Sequence, residues 1–265
     1  MSRTLYMCEP TFFDVEYAIN PHMDPEVPVD KDLAMRQWET LKNVYEELGA
    51  EVITMPGVKG LPDMAFSANC GHPANGVFLR SNFRHEVRRP ESRLAHKFFK
   101  EQGKVVFKLD ESVFFEGQGD LIRFGDRYFL GHGFRSDKET ASHLKQLVKE
   151  PISTLQLVNP KLYHLDTCFG PLNEDTVVVS RTAFTDQGIG SIVQYASDII
   201  YTNEQDDSVL GCNLVAIGDT VVLGEGISDR LGKAIQKRGF DVRTVPMSEF
   251  LKSGGSVKCL TLEQY

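Results

Sequence analysis

Leu121-Ile122-Arg123-Phe124-Gly125-Asp126-Arg127-Tyr128-Phe129-Leu130 holds two apolar runs parted by a Phe-Gly-Asp break. Glycine and aspartate tolerate the backbone of a tight turn, so the stretch reads as a β-hairpin. The signature recurs. Asn75-Gly76 precedes Val77-Phe78-Leu79, Asn173-Glu174-Asp175 precedes Val177-Val178-Val179, and Ile217-Gly218-Asp219 separates Leu214-Val215 from Val221-Val222-Leu223. Successive turns lie about 45 to 50 residues apart, a period at which internal repeats are suspected. Between them, helical patterns fall at about 31–48, 91–102, 136–149 and 228–238, each followed by a strand such as 105–109 or 242–245. The repeat unit is therefore hairpin, helix, strand. Five units result if the N-terminal segment and the segment around Cys259 complete one between them, which favours a closed ring over an open sheet. Without a linker of biased composition, residues 1–265 read as one α/β domain. The alternative is a two-lobed α/β protein in which the spacing is accidental.

With 265 residues, 41% of them hydrophobic and 25% charged, the chain is long enough to bury a sizeable core. A formal net charge of −8 argues against general nucleic-acid binding and favours a cationic partner. No apolar run reaches the length of a membrane span, and the segment from Met1 to Met7 lacks the features of a signal peptide, so a cytoplasmic location is expected. Cysteines at 8, 70, 168, 212 and 259 are odd in number and contain no Cys-x-x-Cys pair. Reduced thiols are expected, with Cys8, Cys70, Cys168 and Cys212 as packing residues.

Cys259 stands apart. It follows the turn Gly254-Gly255-Ser256-Val257-Lys258 and opens an apolar, strand-like segment. A lone cysteine is commonly a small core hydrophobe. Two other motifs beside strand edges change that reading: Phe115-Glu116-Gly117-Gln118-Gly119-Asp120 and His164-Leu165-Asp166-Thr167. A thiolate nucleophile needs a carbon electrophile, and a histidine can protonate the leaving group and then activate water. Carboxylates near the cysteine would weaken the thiolate. A bound guanidinium removes the conflict, because it pairs bidentately with carboxylates and supplies the positive charge that favours the thiolate.

Together with Pro62-Asp63-Met64-Ala65-Phe66-Ser67-Ala68-Asn69, these motifs resemble the amidinotransferase/arginine deiminase superfamily of guanidino-modifying enzymes, over nearly the whole length. Met7-Cys8-Glu9-Pro10, Val15-Glu16-Tyr17-Ala18-Ile19-Asn20-Pro21 and Val257-Lys258-Cys259-Leu260-Thr261-Leu262 resemble its arginine dihydrolase module most. The resemblance implies a five-bladed α/β propeller of the pentein type, with pseudo-fivefold repeats and a central polar channel. It implies Cys259 as the nucleophile on the guanidino carbon, His164 as general acid and then base, and Glu116 and Asp166 as the carboxylates that hold the guanidinium. Asp63 joins the same wall, while Asn20, Arg88 and Arg135 match positions that grip the amino-acid end of the substrate. Neither metal nor cofactor is implied. The partner is a small cationic substrate, arginine or a related guanidine, and a homo-oligomer is allowed.

One departure bears on the reaction. Arginine deiminases and dimethylarginine hydrolases place an acid where this chain has Asn69, and an amide can both accept and donate. It could hold the guanidinium and also the neutral ureido group left after one hydrolysis. The reading is hydrolysis of free L-arginine to ornithine, ammonia and carbon dioxide through a thiouronium-type intermediate on Cys259. A deiminase or dimethylarginine hydrolase releasing citrulline is the rival, and a non-catalytic guanidino-binding protein is the third reading. Lys258 stands where many relatives have histidine. The pairs His164/Cys168 and Cys70/His72 raise a metal site, but the first falls in a strand-to-turn segment, where its spacing does not share a helical face. Gly224-Glu225-Gly226 lacks the third glycine of a dinucleotide site, leaving Ser228 or Asp229 as a helix cap.

Overall fold

Five three-stranded sheets make up the computed structural model, which describes residues 3–74, 76–145 and 147–265. The first blade takes β1 (Thr4–Cys8), α1 (Lys31–Glu47) and β2 (Glu51–Met55) from the N-terminal part. The second comprises β3 (Gly71–Ala74), β4 (Val77–Arg80), α2 (Arg89–Glu101) and β5 (Val105–Lys108). In the third are β6 (Leu121–Phe124), β7 (Arg127–His132), α3 (Thr140–Leu144) and β8 (Ile152–Gln156). The fourth holds β9 (Phe169–Pro171), β10 (Thr176–Val179), α4 (Asp186–Tyr195) and β11 (Asp198–Tyr201), followed by the short α5 (Glu204–Ser208). The fifth contains β12 (Val215–Ile217), β13 (Thr220–Gly224), α6 (Asp229–Gln236) and β14 (Asp241–Val245), after which come α7 (Ser248–Leu251) and β15 (Leu262–Glu263). Each later blade pairs its first two strands antiparallel and its last two parallel, the helix making the crossover. The first blade obeys the same rule because β15 returns to lie antiparallel to β1, with Leu5 opposite Glu263 and Tyr6 opposite Leu262.

The middle strand of each blade is apolar on both faces, and alternate residues feed different cores. Leu5 and Met7 of β1 enter a core shared with Val215, Val222 and Val245 of the fifth blade, whereas Tyr6 and Cys8 join Phe78 and Phe99 of the second. Leu79 packs with Tyr128 and Leu130, Phe129 with Val177 and Val179, and Val178 with Val221 and Leu223. Five cores thus lie between five neighbouring pairs of blades. That closes the ring: the molecule is a five-bladed α/β propeller.

Turn and cap chemistry fixes the elements. Gly125 and Gly218 take φ of +59° and +57° at their hairpin turns, and Gly76 does likewise; Asn75 of that turn lies outside the described residues. Asp30 caps α1 by accepting from the Leu33 amide, and Ser228 caps α6 by accepting from that of Leu231. Two expectations are corrected, and one helix is added that the sequence pattern did not mark. The helix expected over 136–149, which includes the undescribed Gln146, is helical only over Thr140–Leu144. Ser136 and Asp137 instead hold the amides of Glu116 and Phe114, so their segment serves tertiary bonds. The helix α4 carries Gly188 and Gly190, which obscure its periodicity, yet Thr185 caps it and Ile189 and Ile192 bury its inner face. Cys259 sits on a turn rather than in a strand: the Leu260 amide bonds Ser256, the Thr261 amide bonds Lys258, and the strand begins at Leu262.

Candidate active site

The turns that enter the first strands of four blades come into contact with one another. Tight 3₁₀ turns at Ser67–Cys70, Gly117–Gly119 and Leu165–Thr167 serve three blades, and the turn around Cys259 serves another. Gly119 allows two of them to touch. A Cβ there would stand 2.3 Å from Asn69 Nδ2 and 3.4 Å from the His164 ring, so glycine lets the amide and the imidazole approach across it.

Cys259, His164, Glu116, Asp166, Asp63, Asn69, Arg88 and Arg135 are all buried, and Asn20 is partly so. The thiol donates to Asp166 Oδ2 at 3.4 Å and accepts from Asn213 Nδ2 at 3.1 Å. Burial and then the Asp166 charge push the thiol well above the ordinary cysteine range. Burial likewise pushes the Asp166 carboxyl up and the Lys258 ammonium down, each moderated by the charge of the other. Lys258 Nζ, buried next to Cys259 in the chain, donates to Gln118 Oε1 and Thr261 O and lies 3.1 Å from Glu263. With Arg3, Arg123, Glu263 and Tyr265 it lines a cavity of about 350 Å³ whose wall also carries Ile122, Phe169 and Leu214.

His164 Nε2 lies 2.8 Å from Glu116 Oε2, which also accepts from Arg135 Nη1 at 3.2 Å. Burial alone would raise the Glu116 carboxyl, but Arg135 and His164 hold it well below the usual carboxylate range. Asp120 anchors the histidine turn by accepting from the Leu165 amide, and Ser136 donates to its other oxygen; burial raises this acid to about 6.

The residues expected to hold the amino-acid end have protein partners here. Arg135 also donates to the Ile19 carbonyl, and its guanidinium lies over the Tyr163 ring at 4.6 Å. Asn20 donates to Tyr163 Oη and the Ser253 carbonyl and accepts from the His22 amide. These contacts pin the segment between β1 and α1 across the site, as does Tyr17 Oη donating to Asp63 Oδ2 at 2.9 Å. Asp63 also accepts from Ser253 Oγ, so both its oxygens are occupied. Arg88 donates to Asn69 Oδ1 at 3.1 Å and to the Asp63 carbonyl, and is clamped by Glu91. Burial would favour loss of its proton, but Glu91 and Asp63 keep it charged.

Two buried atoms of this group have no partner: Asp166 Oδ1 and Asn69 Nδ2. A buried polar atom left unpaired costs about 1–3 kcal/mol, so both invite a ligand with a donor for one and an acceptor for the other. Sequence reasoning missed Asn213 and Tyr163. Asn213 brackets Cys259, its Oδ1 accepting from the Cys259 amide and its Nδ2 donating to Sγ and to the Asp166 carbonyl at 3.0 Å. Its signal was positional, since it precedes the first strand of its blade as Asn69 does. Tyr163 donates to the Gly254 carbonyl, and burial raises its hydroxyl. Among the described residues no three His, Cys, Asp or Glu side chains cluster as a metal site. Cys168 Sγ, of the spacing weighed for one, donates to the carbonyls of His164 and Leu165. No described helix is long and apolar enough to cross a membrane.

A thiol set among carboxylates and an imidazole, inside a five-bladed α/β propeller, defines a hydrolase that cuts the C–N bonds of guanidino groups. Comparison with known proteins gives the family: the chain belongs to that described as N,N dimethylarginine dimethylhydrolase, eukaryotic, which matches residues 12–265. It is 38% identical over 264 residues to an N(G),N(G)-dimethylarginine dimethylaminohydrolase of Mycobacterium tuberculosis, covering 99% of this chain and 86% of that protein. It is 33% identical to the bifunctional arginine dihydrolase/ornithine cyclodeaminase ArgZ of Synechocystis sp., over 97% of this chain but 37% of that longer protein. The N-terminal domain of ArgZ, solved bound to product, superposes with a TM-score of 0.95 at 32% identity, covering 100% of this chain and 98% of that domain.

Proposed function

We propose that residues 1–265 form one catalytic domain that hydrolyses free L-arginine to ornithine, two molecules of ammonia and carbon dioxide, with two waters consumed. The substrate guanidinium lies between Asp166 and Glu116, and its charge lowers the thiol of Cys259 enough for attack on the guanidino carbon. His164 protonates the departing ammonia, then takes a proton from the water that displaces sulfur and leaves a ureido group. A second round on that group, with the same residues, releases the second ammonia and a carbamate that decays to carbon dioxide and ornithine.

The observation that carries this reading is the free Nδ2 of Asn69. Arg88 can only donate, so it takes Oδ1 and leaves the NH₂ beside His164 as a donor without a partner. A guanidinium has no acceptor to offer that donor, whereas the ureido oxygen does. A mass spectrum of products from arginine tests the reading, with ornithine expected. Asn69→Asp replaces the donor by an acceptor, and citrulline should then accumulate. Citrulline alone from the unaltered enzyme would make it a deiminase.

The family match and the mycobacterial relative favour a second reading, hydrolysis of dimethylated arginine to citrulline and dimethylamine. Incubation with dimethylarginine decides it: release of dimethylamine while arginine stays untouched would replace the dihydrolase reading.

A further inference from the structure

Glu91 sits in the first turn of α2, and only 2% of it is exposed. Both its oxygens are taken by Arg88, Oε1 by Nε at 2.9 Å and Oε2 by Nη2 at 2.8 Å. The fork geometry fixes the plane of the guanidinium, and the Phe83 ring supports its face at 4.6 Å. What the clamp leaves over is directed elsewhere: Nη2 also reaches the Asp63 carbonyl, and Nη1 reaches Asn69 Oδ1 at 3.1 Å. The orientation of the Asn69 amide is therefore inherited through Arg88 from Glu91.

We propose that Glu91 is a positioning residue that fixes which atom of Asn69 faces the substrate, and thereby decides whether hydrolysis continues past the ureido stage. The proposal rests on the dihydrolase reading above. Without the clamp, Arg88 is free to turn toward Asp63, whose Oδ2 lies 3.8 Å from Nε. Asn69 Oδ1 then loses its donor, and the amide can rotate to present its oxygen to the site. A carbonyl oxygen there suits the cationic guanidinium and repels the ureido oxygen. The second hydrolysis should suffer more than the first.

The test is a double-mutant cycle of Glu91→Gln and Asn69→Asp, with kcat/KM measured separately on arginine and on citrulline. In Glu91→Gln the citrulline value should fall about tenfold more than the arginine value, the size expected for one buried hydrogen bond left unmade. Glu91→Asp, which keeps the charge on a shorter arm, should recover part of the loss, and it serves as the single variant if Glu91→Gln does not fold. In the Asn69→Asp background a carboxylate presents an acceptor whichever way it turns, so Glu91→Gln should change the citrulline-to-arginine ratio no further. Equal losses on the two substrates, or the same ratio change in both backgrounds, would mean that Glu91 is merely structural and would overturn the proposal. If the unaltered enzyme releases only citrulline from arginine, the dihydrolase reading itself fails and takes the proposal with it. That outcome is read from the unaltered enzyme alone.

Discussion

Cys259 has to part with a proton while a carboxylate stands 3.4 Å from its sulfur. Without a bound cation the neutral thiol is the favoured form, and under the proposed reaction it stays idle until a cation arrives. Among the described residues Asn213 is the one side chain that donates to the sulfur, and a donor favours the thiolate. Asn213→Ala should therefore move the inflection of the rate–pH curve for alkylation by iodoacetamide upward and lower turnover about 10- to 100-fold. An unchanged inflection would reduce Asn213 to packing. The sequence displayed Glu116, His164, Asp166 and Cys259 because acids, imidazoles and thiols are chemically conspicuous. Asn213 lies in Gly211-Cys212-Asn213-Leu214 without any such group, and only its place before β12 marks it. Whether Arg88, Arg135 and Asn20 meet substrate could not be read from sequence, since their partners here come from distant segments.

Helices that pack on a blade through one stripe were legible, and α1 is the clearest case, burying Ala34, Trp38, Leu41 and Tyr45 behind the Asp30 cap. The fourth blade's helix was not, because glycine weakens the helical signal that its isoleucines carry. Gly190 has open space where a Cβ would stand, and its backbone is helical. Gly190→Ala should then stabilise the protein by about 0.5–1 kcal/mol, read as a higher urea midpoint at unchanged slope. A lower midpoint would show that the glycine serves packing. The shortened α3 is the opposite lesson: helical spacing was present, but Asp120, Glu116 and Phe114 claimed the residues before it for bonds across the blade.

The repeat made the propeller legible as a whole, since turns at a constant interval and doubly apolar middle strands leave few other closures. What no local pattern could show is how little backbone seals it. β15 is short and meets β1 at two residue pairs, helped by the Glu263 carboxylate, which Arg3 and Lys258 both hold. Removal of residues 262–265 should leave β1 without its antiparallel neighbour and open the core that Leu5 and Met7 share with the fifth blade. The expected result is a larger hydrodynamic radius, together with Cys259 alkylated at the rate of an unfolded thiol. A variant as compact and as slowly alkylated as the full chain would show that the interblade cores suffice.

Cys259 precedes that sealing strand, so the proposed nucleophile is also the last group of the candidate site to leave the ribosome. At ordinary elongation rates β1 waits on the order of tens of seconds for its partner, holding a strand edge that other chains could pair with. A nascent chain halted between Asp166 and Cys259 already contains Glu116, His164 and Asp166 but not the thiol of Cys259. Under the proposed reaction, aborted synthesis therefore yields fragments that can sequester the substrate at most and cannot consume it.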